Sequence, residues 1–168
     1  VVVTFDSDTK GSQVFVNQAS NEAVAQVLVD SILDMTGGEG EFAVLSATST
    51  ATNQNAWIAA MENLIASDDK YAKLEWVTTV YGDDEDQKSY DETESLMTNY
   101  PDLKVICSPT CVGYLAACKA VMNANSEIKV AGLGMPSLSL GYVGEGTCSE
   151  YMYLWNPVEI GSTTVYTM

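Results

Sequence analysis

Five apolar, strand-like runs in this chain each stop abruptly at a small cluster of polar or small residues. Val1-Val2-Val3-Thr4-Phe5 runs into Asp6-Ser7-Asp8, and Phe42-Ala43-Val44-Leu45 into the polar stretch from Ser46 through Gln54. Val105-Ile106-Cys107 meets Ser108-Pro109-Thr110, and Val130-Ala131-Gly132-Leu133 meets Gly134-Met135-Pro136. Tyr151-Met152-Tyr153-Leu154 meets Trp155-Asn156-Pro157. Helical periodicity fills most of the intervals. Strand alternating with helix requires crossover connections, so the pattern predicts an α/β fold: three layers, α/β/α, on a mainly parallel sheet. In such a sheet ligands sit outside the carboxyl ends of the strands. The five ends therefore predict one shared pocket.

The elements can be placed more closely. Gln13 to Asn17 is a short β-rich stretch. Ser20 then reads as an N-cap, with Val24, Leu28, Ile32 and Met35 at helical spacing until Gly37-Gly38 ends the run. Another helix is predicted from Asn53, as N-cap, with Trp57, Met61, Leu64 and Ile65 on its buried face. Leu74 to Tyr81 is a strand rich in Val, Thr and Trp. Gly82 to Asp86 opens a helix that carries Tyr90, Met97 and Tyr100 and stops at Pro101. Strand Leu103–Cys107, a helix over Thr110–Ala124 and strand Ile128–Leu133 follow. A short helix is expected near Ser137–Val143, a strand over Tyr151–Leu154, and a last helix from Pro157.

Composition narrows the ligand. The formal charge is −16, from 23 acidic residues against 7 basic ones, and the basic residues are all Lys: the chain has neither Arg nor His. Nucleic-acid binding needs clustered cations, and carboxylate or phosphate ligands usually meet bidentate Arg. A Ser-His-Asp or Cys-His nucleophile is impossible without His. No apolar run approaches the ~20 residues of a membrane-spanning helix. Cys107, Cys111, Cys118 and Cys148 are too scattered for a disulfide scaffold and lack the His or second pair that would complete a metal site, so they read as small buried thiols. The chain opens in mid-strand without Met, which is expected of a piece of a longer protein.

What remains suits a neutral polyol. Asp6 can accept from two vicinal hydroxyls, and Asn53 and Gln54 offer donors and acceptors together. Trp155 can stack on the apolar face of a sugar ring, with Asn156 beside it. A competing pattern is also present: Asp6-Ser7-Asp8, Ser46 and Gly82-Asp83-Asp84 resemble the loops of haloacid-dehalogenase-type Mg²⁺-dependent phosphatases, although Lys10 stands where that family has Thr or Val.

Longer strings resemble one family across nearly the whole chain. They are Val-Val-Val-Thr-Phe-Asp-Ser-Asp from Val1, Ala-Thr-Asn-Gln-Asn-Ala-Trp-Ile from Ala51, Ser-Pro-Thr-Cys-Val-Gly from Ser108, Gly-Leu-Gly-Met-Pro-Ser from Gly132 and Leu-Trp-Asn-Pro-Val-Glu-Ile-Gly from Leu154. They are similar to sugar-type solute-binding proteins of ABC importers, nearest the rhamnose-binding and autoinducer-2-binding branch. The same fold also serves as the sugar-sensing core of transcription regulators.

The resemblance implies two α/β lobes closing on a sugar. Residues 1–15 would be the last strand of the first lobe and a hinge crossing, 16–154 the second lobe, and 155–168 another crossing and a first-lobe helix. It further implies that Asp6 holds ligand hydroxyls, that Asn53 and Gln54 stand where autoinducer-binding members have Asp-Gln, and that Pro109 and Cys111 replace a Pro and an Ala making backbone contacts. Trp155 takes the aromatic position at the hinge. Asn for Asp, Cys for Ala, and the Gly-Leu-Gly-Met-Pro and Leu-Trp-Asn-Pro strings tilt the match towards the rhamnose-type members. The implied partners are a small neutral sugar, the permease subunits of the importer and the other lobe of the same protein. The implied location is periplasmic or extracellular, on a lipoprotein anchor in some members. No cofactor, metal, nucleic acid or catalytic step is implied.

Overall fold

The computed structural model describes residues 1–168. Twelve elements follow in chain order: β1 (Val3–Phe5), β2 (Val14–Val16), α1 (Asn21–Met35), β3 (Gly40–Ser46), α2 (Thr52–Ser67), a short 3-10 turn (Asp69–Tyr71), β4 (Leu74–Tyr81), α3 (Asp86–Asn99), β5 (Leu103–Ser108), α4 (Cys111–Asn123), β6 (Lys129–Gly132) and α5 (Pro157–Thr167). The four longer strands form one wholly parallel sheet in the order β4-β3-β5-β6. β1 and β2 pair with each other in a separate parallel sheet, against which α5 packs.

The central strands are apolar on both faces, as a sheet covered by helices on both sides requires. Phe42 and Val44 of β3, with Val105 and Cys107 of β5, point into a core shared with Leu28, Val29 and Ile32 of α1 and Trp57 and Met61 of α2. Ala43, Leu45 and Ile106 point the other way, onto Leu96 of α3 and Tyr114, Ala117 and Val121 of α4. One strand thus serves two cores, and the layers are α1 and α2, sheet, α3 and α4.

Three expectations need correction. Residues 137–143 form turns, not a helix; the turn is tied by Leu138 N and Ser139 N donating to Met135 O, and Gly141 adopts a positive φ. Tyr151–Leu154 is not a strand: it makes a single bridge, Leu133 to Tyr153, just past the end of β6, because the chain enters from a loop and leaves at once towards α5. Asn53 is not an N-cap; that place belongs to Ala51, and Asn53 lies within the first turn of α2. The helix expected to carry Tyr90, Met97 and Tyr100 is α3, whose fully buried face is Ser89, Thr93 and Leu96, with those three half-buried beside it.

Candidate functional site

All four strands of the main sheet run in one direction, so their carboxyl ends lie along one edge. At that edge the backbone is packed closely around Ser108. Its hydroxyl donates to Leu45 O at 2.7 Å, locking the end of β5 to the end of β3. A Cβ on Gly132 would come within 2.1 Å of Ser108 O, and one on Gly113 within 2.5 Å of Ser108 Oγ. Only glycine permits either approach. Thr110 then donates its hydroxyl to the Asp84 carboxylate, which binds the loop after β5 to the loop after β4.

Helices α2 and α4 start from this edge, and neither has a side-chain cap: Ala51 and Thr110 occupy the N-cap positions without capping bonds. By contrast, Ser20 caps α1 by accepting from Ala23 N, and Asn156 caps α5. The first-turn N–H groups of α2 and α4 therefore face the edge free of side-chain acceptors.

The structure joins several of the residues singled out in the sequence. Asp6, at the end of β1, has φ +63°, a left-handed conformation that Asp tolerates better than most residues. Its N–H donates to Val16 O at 3.2 Å, and its carbonyl accepts from Asn53 Nδ2 at 3.0 Å. Its backbone is thus held from both sides, while its carboxylate makes no hydrogen bond within the chain. One turn beyond Asn53, Trp57 is fully buried, and the half-buried Trp155 packs on it with ring centroids 6.1 Å apart, tilted by 53°. Asp6, Asn53, Trp57 and Trp155 form one connected line.

Others are placed differently. Gln54 is half-buried, with its amide unengaged. Pro109 is buried, and Cys111 half-buried at the start of α4. Burial pushes the Cys111 thiol up, with the nearby Asp84 carboxylate adding to the effect. Asn156 is exposed, and its Oδ1 accepts from Val158 N at 3.1 Å and Glu159 N at 3.3 Å, leaving its amide NH2 free.

Sequence reading passed over a further polar group. Gln18 Oε1 is buried without a partner, and Gln18 lines a cavity of about 130 Å³ with Asp8, Asn17, Asn21, Asn53 and Trp57 among its neighbours. The signal was available: Asn17-Gln18 is a polar pair ending the short apolar run of β2. Larger hollows of about 520 and 630 Å³ lie away from this edge, one beside the C-terminal half of α1 and one at the amino ends of β5 and β6.

The carboxylates that a Mg²⁺-dependent phosphatase needs do not converge. Asp83 pairs with Lys88, Asp84 holds Thr110, and no three metal-ligating side chains stand together. All four cysteines are free thiols, and burial pushes Cys107 up to about 12.

Comparison with known proteins shows the family. A family model described as the periplasmic binding protein domain matches residues 1–168. The chain belongs to that family. It is a family of binding proteins, not of enzymes. This binding-protein chain is 46% identical to an ABC transporter solute-binding protein from Clostridium phytofermentas solved with bound L-rhamnose, with a TM-score of 0.94 over 99% of this chain and 53% of that one. A sugar ABC transporter protein from Actinomyces odontolyticus is 41% identical, with a TM-score of 0.87 over 99% of this chain and 54% of that one. The fold also matches LsrB from Clostridium saccharobutylicum in complex with AI-2, with 22% identity and a TM-score of 0.89 over 99% of this chain and 55% of that one. The chain spans about half the length of these solved structures.

Proposed function

We propose that this chain forms most of one lobe of the substrate-binding component of an ABC sugar importer, and that its ligand is L-rhamnose or a closely related neutral deoxy-sugar. The observation that carries the ligand is the 46% identity, over 99% of this chain, to a protein solved with L-rhamnose. The site chemistry agrees with it. A carboxylate free of internal partners, two side-chain amides and a half-buried indole suit hydroxyls and the apolar face of a pyranose. A chain without Arg or His is poorly suited to an anion.

In this reading Asp6 accepts from ligand hydroxyls, and Asn53 and Gln54 supply donors and acceptors from the first turn of α2. Pro109 and Cys111 present backbone at the start of α4. Trp155, backed by Trp57, stacks on the ring beside Asn156. Residues 16–154 are the second lobe; 1–15 and 155–168 cross a hinge and belong to the first. Sugar binding stabilises the closed arrangement of the two lobes, and that closed form engages the permease outside the cytoplasmic membrane.

A panel of neutral sugars titrated into the full-length protein tests this, with tryptophan fluorescence as the readout. L-rhamnose is expected to give a saturable change that Trp155→Leu removes. No response to any sugar would overturn the reading, and saturation by D-arabinose but not L-rhamnose would overturn the ligand.

A further inference from the structure

Cys118 lies midway along α4, and Cys148 lies on the strap that leads from the 133–147 loop back beside β6; both are buried. The strap is fixed there by Val130 N donating to Cys148 O at 2.8 Å. The Cys148 sulfur lies against Cys118, 3.8 Å from Cys118 O and 3.7 Å from Tyr142 O, and both side chains sit in the same buried cluster. Cys148 is not sealed in. It lines a surface hollow of about 340 Å³ together with Thr147 and Lys129. The Lys129 ammonium donates to Thr147 O at 3.1 Å, which fixes a positive charge beside the hollow.

We propose that Cys118 and Cys148 form an oxidisable pair, closed into a disulfide by exchange with a small-molecule disulfide that enters beside Lys129, with Cys148 as the attacking sulfur and Cys118 as the resolving sulfur. In the first step the Cys148 thiolate attacks the small disulfide, forming a mixed disulfide and releasing one small thiolate. In the second the Cys118 thiolate attacks the Cys148 sulfur, breaking the mixed bond and releasing the other small thiolate. The two protein protons pass to the released thiolates. The cysteines are oxidised, and the small disulfide is reduced to two thiols.

The four thiols of the chain differ in the way this order requires. The adjoining Cys118 thiol holds the Cys148 thiol below its ordinary value, against the opposing effect of burial, and the Lys129 charge adds to the lowering. The same contact, together with burial, pushes Cys118 the other way, so it holds its proton until the first step is complete. Cys107 is wholly buried and Cys111 is raised. Thiolate character combined with access singles out Cys148. The bond would tie the 133–147 loop, with its exposed Met135, Leu138 and Leu140, to α4. This proposal stands apart from the sugar reading.

The test treats the folded full-length protein with oxidised glutathione, blocks residual thiols, and maps peptides by mass spectrometry without reduction. The expected result is a cross-linked peptide joining Cys118 to Cys148, with Cys107 still a blocked thiol. In Cys118→Ser the expected product is a glutathione adduct on Cys148 with no cross-link, formed several-fold more slowly in Lys129→Gln. Cys118 and Cys148 both recovered as blocked thiols after treatment, or an adduct confined to Cys111, would overturn the proposal. The wild-type map alone decides the point if the serine variant does not fold.

Discussion

The main sheet with α1 to α4 and the small unit of β1, β2 and α5 are built from similarly apolar residues, yet they bury them very differently. Trp57, Phe42 and Ile106 in the main sheet's two cores are essentially without solvent exposure. In the small unit Val158 is 73% exposed, Tyr166 91% and Phe5 57%, and few of its residues are buried. The main sheet closes its own core, whereas the small unit presents apolar surface outward on both its sheet and its helix. The contrast shows where each part finds its stability. It also fits the proposed division, in which the small unit belongs to a first lobe that covers it.

The contrast can be broken or sharpened by substitution. Trp57→Ala removes a fully buried side chain that also supports Trp155, and should cost about 3–5 kcal/mol in urea unfolding. A loss under about 1 kcal/mol would show that the α1/α2 core repacks. Gly132→Ala sets a methyl 2.1 Å from Ser108 O and should cost about 1–3 kcal/mol through a forced backbone shift, with any sugar response weakened because the end of β5 moves. Tyr166→Ser should change the stability of residues 1–168 by no more than about 0.5 kcal/mol. In the full-length protein the same substitution should cost clearly more; equal effects in both would break the comparison.

The smallest effect is electrostatic. Burial alone would raise the Asp30 carboxyl, but hydrogen bonds from Lys70, Gln26 and Tyr71 outweigh it and hold the group below its ordinary value. A folded-state pKa below the unfolded one gives stability that is present above the unfolded pKa and lost as pH falls through the folded one. Asp30→Asn should therefore be slightly less stable than wild type at neutral pH, with the gap narrowing below about pH 4. Unfolding curves across that range check the sign, and a gap that widens on acidification would reverse it.

Much of the fold was legible because local signals agreed with the tertiary result. Ser20 caps α1 as its position before the periodic run predicts, and the runs Phe42–Leu45 of β3 and Val105–Cys107 of β5 are apolar because helices cover both their faces. The failures occur where distant contacts decide. Ser137 to Val143, expected as a short helix, is held in turns by short backbone bonds and a positive-φ glycine. Tyr151–Leu154 has strand composition but finds only one bridging position beside β6. At the candidate site, residue types pointed to Asp6, Asn53 and Trp155. That Asn53 gives one amide hydrogen to Asp6 O, and that Trp57 backs Trp155, are pairings across the fold which no local pattern encodes.

The same two-part contrast sets the most direct test of function. If the strand ends of this chain form one wall of a cleft, L-rhamnose titrated calorimetrically into the full-length protein should give a saturable one-site isotherm, and into residues 1–168 weak or no heat. Comparable binding by both would show that this chain holds a complete site. Heat from neither would contradict the sugar-binding reading itself.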